Sequence, residues 1–115
     1  MSDGPMREPT FLVLTALAGE PRHGYAVIED VAAMTGGRVR LRAGTLYAAL
    51  DRLRSDGLIE VDREEIVQSR LRRYYKLTAS GERSLAAETA RLRTQAAIAE
   101  ERLRLRGITF GGATA

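Results

Sequence analysis

Apolar residues return at helical spacing in four stretches of this sequence, and two shorter stretches between the third and the fourth alternate apolar with polar positions. The first helical stretch begins at Pro9, whose missing N–H costs nothing in a first turn. It brings Phe11, Leu14 and Leu17–Ala18 to one side before Gly19-Glu20-Pro21 stops it. The second opens at His23-Gly24-Tyr25 and runs through Ile28 and Val31/Ala32, with Glu29 and Asp30 turned outward. It closes at Thr35-Gly36-Gly37, where glycine supplies a left-handed C-terminal turn. Arg38–Arg42 alternates Arg with Val and Leu, a pattern that suits either a brief strand or an extended linker.

The third stretch is the sharpest. At about 100° per residue, Leu46, Ala49, Leu50 and Leu53 share one face of a helix over residues 45–57. The opposite face holds Gly44, Tyr47, Ala48, Asp51 and Ser55, with Thr45, Arg52 and Arg54 at its flanks, and Gly57 ends the helix. Leu58–Arg63 then reads as a strand and Leu71–Leu77 as its antiparallel partner, joined by a connection over 64–70 that is polar apart from Ile66 and Val67. Such a ribbon is marginal alone and must pack on the helices. Thr78 caps a long helix from about Ala79 to Arg106, in which Leu85, Thr89, Leu92, Ala96, Ala99 and Leu103 follow the 4-3-4-3-4 spacing of a coiled-coil seam.

The expected fold is therefore mainly α with a two-stranded antiparallel wing, a winged helix-turn-helix with an appended helix. Residues 1–8 form a flexible N-terminus, 9–78 the DNA-binding body, 79–106 a C-terminal dimerisation helix and 107–115 a flexible tail. Three helices and a ribbon cannot cover the seam of the last helix, so pairing with a second copy is its natural outlet. Phe11 on the first helix is expected to join that interface.

Charge sharpens the picture. The chain carries +3 overall, yet residues 1–37 hold two Arg against five acidic groups, residues 38–76 ten basic against six acidic, and residues 77–115 six Arg against four Glu. Positive charge thus peaks across the third helix and the ribbon, where a polyanion would be met. The absence of cysteine excludes a disulfide framework, a thiolate nucleophile and a cysteine-ligated zinc site. With one histidine, no glycine-rich phosphate loop and no metal spacing, an enzyme has little support, and no cofactor or metal is expected. No apolar run approaches the roughly 20 residues of a membrane span, and the first residues lack the basic-then-apolar layout of a signal peptide. A cytoplasmic setting is expected.

The third helix is expected in the major groove with its N-terminal end nearest the bases. Gly44, Thr45, Tyr47 and Ala48 lie there, beside Arg42; Thr45 suits a phosphate or a base, and Ala48 a thymine methyl. Tyr47 points away from the leucine face and is assigned to DNA, the alternative being an aromatic half-packed on the second helix. Arg52 and Arg54 have the reach for phosphates, though exposed helical arginines often only solvate a surface. On the ribbon, alternation puts Arg72, Tyr74 and Lys76 on one face and Arg73, Tyr75 and Leu77 on the other. Arg70, Arg72 and Lys76 are assigned to phosphate, against pairing with Glu60, Asp62, Glu64 and Glu65 across the hairpin. Those four acidic residues are also the best support for a different reading, a winged-helix module that binds protein. His23 reads as a turn or capping residue.

Taken together, His23-Gly24-Tyr25, Gly44-Thr45-Leu46-Tyr47, Leu50 with Leu53, Gly57-Leu58-Ile59, Arg73-Tyr74-Tyr75-Lys76-Leu77-Thr78 and Gly81 resemble the PadR family of bacterial transcriptional repressors, over residues 9–106. The short length resembles the branch with a single C-terminal helix. The resemblance implies a homodimer on double-stranded operator DNA and a phosphate contact at Tyr25, for which core packing with the hydroxyl reaching outward is an equal alternative; some members of the family release DNA when a small aromatic or phenolic effector binds. A space between subunits, lined by Phe11, Leu14 and Thr15 with Leu92, Ala96 and Ala99, is the candidate effector site. This sequence departs from the family at Arg42-Ala43, where Ser-Pro is common, and at Arg63, which stands for a frequent tryptophan. With no Trp in the chain, the tryptophan-lined drug pocket of one branch is absent in that form.

Overall fold

The computed structural model describes residues 5–108. Helix α1 (Glu8–Gly19) buries Leu12, Val13, Leu14, Ala16 and Leu17, so it is apolar nearly all round and forms the centre of the body. Its C-terminal end is closed by Arg22, whose Nε donates to the Ala16 carbonyl at 3.0 Å. The body begins before the expected boundary at residue 9. Met6 packs against the core, the Arg38 guanidinium grips the Glu8 carboxylate with two nitrogens, and the backbone of Met6 supports the buried Glu88 carboxylate.

A two-residue strand, β1 (Arg22–His23), leads into α2 (Gly24–Met34). His23 is the N-cap of α2, its Nδ1 accepting the Ala26 N–H at 3.3 Å. The inward positions of α2 are Val27 and Val31, not Tyr25, because Ala26, Val27 and Ile28 are all apolar and the sequence permits either rotation. Gly36 (φ 61°) and Gly37 (φ 85°) end the helix, and the Gly37 N–H returns to the Ala32 carbonyl at 2.7 Å. Arg38–Arg42 forms no strand; it is an extended linker whose Val39 and Leu41 pack on the core. Helix α3 (Ala43–Ser55) buries Leu46, Leu50 and Leu53, and its N-cap Arg42 makes no side-chain capping bond.

The sheet corrects the two-stranded expectation. Strands β2 (Ile59–Val67) and β3 (Arg70–Leu77) pair antiparallel, and β1 adds on the far side of β3 to give the order β1-β3-β2. Two residues are too few to show an alternating pattern, so β1 exists only through its pairing of Arg22 with Tyr75 and His23 with Tyr74. The hairpin is also longer than expected. The ladder runs on through Glu64, Glu65, Ile66 and Val67 to a two-residue turn at Gln68 (φ 51°) and Ser69 (φ 66°). Two left-handed residues make the twist-matched hairpin turn that usually signals itself by glycine or asparagine, and neither is present here. A bulge at Asp62 shifts the register so that Val61 faces Tyr75 and Arg63 faces Tyr74.

Helix α4 (Ala79–Leu105) starts at a tight corner. Thr78 Oγ1 accepts the Gly81 N–H at 3.0 Å and donates to the Gly57 carbonyl at 2.6 Å. A methyl group on Gly81 would run into the Leu58 carbonyl, so that glycine is fixed by close approach of two backbones. The first turns of α4 rest on α1 and β3. From Leu92 to Ile108 every residue is exposed, and the helix projects from a molecule 59 × 32 × 21 Å in extent. Among the described residues no helix is long and apolar enough to cross a membrane.

Candidate nucleic-acid interface

Burial of Leu46, Leu50 and Leu53 turns the other face of α3 outward, so Gly44, Thr45, Tyr47, Ala48, Asp51 and Arg52 are all exposed. A methyl group on Gly44 would meet nothing within 4 Å, so packing inside the protomer does not demand that glycine. Tyr47 is 48% exposed. Its ring leans on the first turn of α2, where a methyl group on Gly24 would lie 2.7 Å from Cζ. The ring is thus half-packed on the second helix, its hydroxyl end over Gly24, and the rest of the residue is open to solvent. This contact joins the His23-Gly24-Tyr25 and Gly44-Thr45-Leu46-Tyr47 motifs, with Gly24 as the seat of Tyr47. Tyr25, beside it, is 64% exposed.

Between α3, the start of α2 and the wing lies a cleft of about 660 Å³, onto which Tyr25, Tyr47, Asp51, Arg70, Leu71 and Arg72 open. The electrostatics of its surroundings divide the basic residues into two groups. Arg63 binds Asp62 at 3.1 Å and Glu65 at 3.0 Å, Arg73 binds Glu64 at 2.9 Å, and Lys76 lies 3.5 Å from Asp62. Arg42, Arg52, Arg54, Arg70 and Arg72 make no ion pair among the described residues. Of the three wing cations assigned to phosphate, Arg70 and Arg72 stand open, whereas Lys76 is engaged across the hairpin. The Glu65 carboxylate is held below its ordinary pKa chiefly by its bond from Arg63, and Arg63 is raised in turn.

Tyr75 is buried and Tyr74 faces the other way, as alternation requires. On that outer face the three register partners stack in a row. The His23 ring meets the Tyr74 ring edge-on at 5.3 Å, and the Arg63 guanidinium sits 3.8 Å over the same ring. This row ties the cap of α2 to both wing strands. Burial, and next the charge of Arg72, hold the His23 imidazole below its usual pKa.

A second surface lies along α4. A shallow groove of about 380 Å³, lined by Ala18, Leu77, Leu85, Ala86, Thr89 and Ala90, separates α4 from the end of α1. Beyond it Leu92, Ala96, Ala99 and Leu103 continue the seam in solvent. Leu85 and Phe11 are half-buried against the protomer's own core. Leu14 is fully buried and the Thr15 hydroxyl donates to the Phe11 carbonyl at 2.7 Å. Leu14 therefore does not line an effector space in the protomer, because α1 is central rather than peripheral. Ile98 and Leu105 are exposed off the seam, and Ile66 and Leu71 are exposed on the wing. None of the four belongs to the expected DNA-contact or seam residues.

Three helices, a three-stranded sheet ending in a hairpin wing, and an exposed third helix beside that wing define a winged helix, a DNA-binding class of fold. The chain belongs to the Transcriptional regulator PadR-like family, whose profile matches residues 13–87. It is similar to a PadR family transcriptional regulator from Eggerthella lenta DSM 2243, at 32% identity over 83% of this chain and 80% of that one, with a TM-score of 0.68. A PadR family transcription regulator from Clostridium difficile R20291 shares the fold at 24% identity and TM-score 0.68, covering 82% of this chain and 96% of that chain. Bacillus subtilis PadR, crystallised with operator DNA, shares the fold at 23% identity and TM-score 0.63, covering 70% of this chain but 46% of that one.

Proposed function

We propose that this regulator binds double-stranded operator DNA as a homodimer and represses transcription. Helix α3 enters the major groove, and the cleft between α3 and the wing straddles one sugar–phosphate strand. The observation that carries this reading is the charge division around the cleft: Arg42, Arg52, Arg70 and Arg72 stay open beside an exposed α3 face, while cations elsewhere on the wing are matched by carboxylates. Under this reading Gly44 lets the DNA backbone approach closely, Thr45 and Ala48 meet base edges, and Tyr25 and Tyr47 donate to phosphates. The exposed seam of α4, with the groove beside it, supports pairing with a second copy. Pairing would set two α3 helices about one DNA turn, roughly 34 Å, or a multiple of it apart, on a near-palindromic site.

The same division weighs against the protein-binding alternative, because three of its four acidic residues, Asp62, Glu64 and Glu65, are already occupied by Arg63, Arg73 and Lys76, and only Glu60 stays open among the described residues. The test is selection from a random duplex pool by the full-length protein, followed by sequencing and affinity measurement at several salt concentrations. Recovery of a two-fold symmetric site, with affinity falling steeply as salt rises, is expected. Retention of no duplex at low salt would sink the proposal.

A further inference from the structure

Strand β3 has a neighbour on both sides only at Tyr74 and Tyr75, where β1 lies on one flank and β2 on the other. From Arg73 to Arg70 the hairpin is two-stranded, and a cleft separates it from α3. A bare two-stranded ribbon holds its own angle poorly. The direction of the wing is therefore set where it leaves the body, at the rung of Arg63 with Tyr74. The bulge at Asp62 falls at the same root, and a bulge bends its strand.

The outer face of this root is locked by side chains from three elements. His23, fixed as the cap of α2, meets the Tyr74 ring edge-on at 5.3 Å. Arg63 lies 3.8 Å over that ring, binds Asp62 at 3.1 Å on the body side and binds Glu65 at 3.0 Å on the wing side. A planar guanidinium has a face for the ring and edges for both carboxylates, which a lysine lacks. Arg63 thus spans the hinge with its charge already matched, and the DNA-binding reading gives it no role.

We propose that Arg63 and Tyr74 are positioning residues for DNA binding: stacked on each other and braced by His23, they fix the angle of the wing and hold Arg70 and Arg72 at the mouth of the cleft. The proposal rests on the DNA-binding reading. A wing that swings freely must be ordered when DNA binds, and that lost freedom subtracts from affinity. Once ordered, it makes the same phosphate contacts and releases the same counterions. Loosening the root therefore weakens binding equally at every salt concentration, whereas removing a phosphate contact changes the salt slope.

The experiment compares full-length wild type with Arg63→Lys, Tyr74→Val, the double variant and Arg70→Ala. Lysine keeps the charge and loses the planar fork; valine suits a strand and removes the ring. The probe is a duplex selected from a random pool by the wild type, with salt varied between about 50 and 200 mM. Arg63→Lys should bind about threefold and Tyr74→Val about fivefold more weakly, both with the wild-type slope. The double variant should bind no more weakly than Tyr74→Val, because each residue acts through the other. Arg70→Ala, by contrast, should lower the slope by about one ion. Amide hydrogen exchange of the free protein should quicken along the wing in the first three variants and stay unchanged in α3. Arg63 is half-exposed, so Arg63→Lys tests the proposal even if Tyr74→Val does not fold. Losses that add in the double variant, or a slope that falls in Tyr74→Val, would make these residues separate DNA contacts and overturn the proposal. Wild-type affinity with a loosened wing would overturn it too, leaving the row a purely structural feature, as would wild-type exchange along the wing. Failure of the wild type to select any duplex would instead remove the underlying reading.

Discussion

Helix α3 places Leu46, Leu50 and Leu53 against α2 and β2, whereas α4, with an equally regular stripe, leaves Leu92 and Leu103 each 38% exposed. The two helices differ in what lies opposite. The stripe of α3 faces a central core that α1 fills from the other side. That of α4 outruns the body after Arg91, since a helix of 27 residues is about 40 Å long and the body is much shorter. A regular apolar stripe therefore marks a face that gains by being covered, and the size of the rest of the chain decides whether the protomer itself can cover it.

The comparison breaks most visibly at its leucines. Leu50→Ala should cost about 2–5 kcal/mol of stability, read as a lower denaturant midpoint that does not depend on protein concentration. Leu92→Asp with Leu103→Asp should leave the wing and core folded yet convert a dimer to a monomer in sedimentation. It should also weaken binding to a two-site duplex by about a hundredfold through loss of bivalency. If the aspartate pair sediments like the wild type, α4 is not the dimer seam.

A smaller effect sharpens the α3 side. Gly24→Ala puts a methyl group where the Tyr47 ring rests, and a flexible ring end can swing away, so stability should change little while DNA affinity falls about fivefold. Tyr47→Phe should match part of that loss. Equal affinity of Gly24→Ala and wild type would show that the seat of Tyr47 is purely structural.

The smallest effect concerns His23. Its folded pKa is lowered, so the unfolded chain binds the proton more readily. The stabilisation is present above the ordinary value of 6.5 and is lost as pH falls from there toward the folded pKa. Glu8, Glu65 and Glu88 also have lowered values, but from 4.5, so their losses come at lower pH. His23→Asn keeps a capping side chain and removes the titration. Denaturant midpoints between about pH 7.5 and 5.5 should fall less in the variant than in the wild type. Parallel curves would mean that the imidazole does not titrate against the fold.

The parts of this molecule that were legible in its sequence are those where one residue type has one physical use. Leucines at helical spacing gave α3 its inner face and hence its outer one; Thr78 before Ala79 gave the start of α4; and glycines at 36, 37 and 57 gave the chain turns. Illegible were features made by a partner distant in sequence. Strand β1 has two residues and exists because Tyr74 and Tyr75 pair with it. Lys76 looked as available as Arg72 until the bulge at Asp62 brought a carboxylate to it. Gly24 looked like a helix start and is the seat of Tyr47.

By itself, then, the order of apolar and polar residues determined four helices, a hairpin and two stripes that need covering, because periodicity is a property of neighbours along the chain. Tertiary structure alone decided which cations remain free, how far the wing extends, and where Ile66 and Leu71 point. Those depend on register and on pairing across the fold, and a single-residue shift in register reverses every side chain it touches.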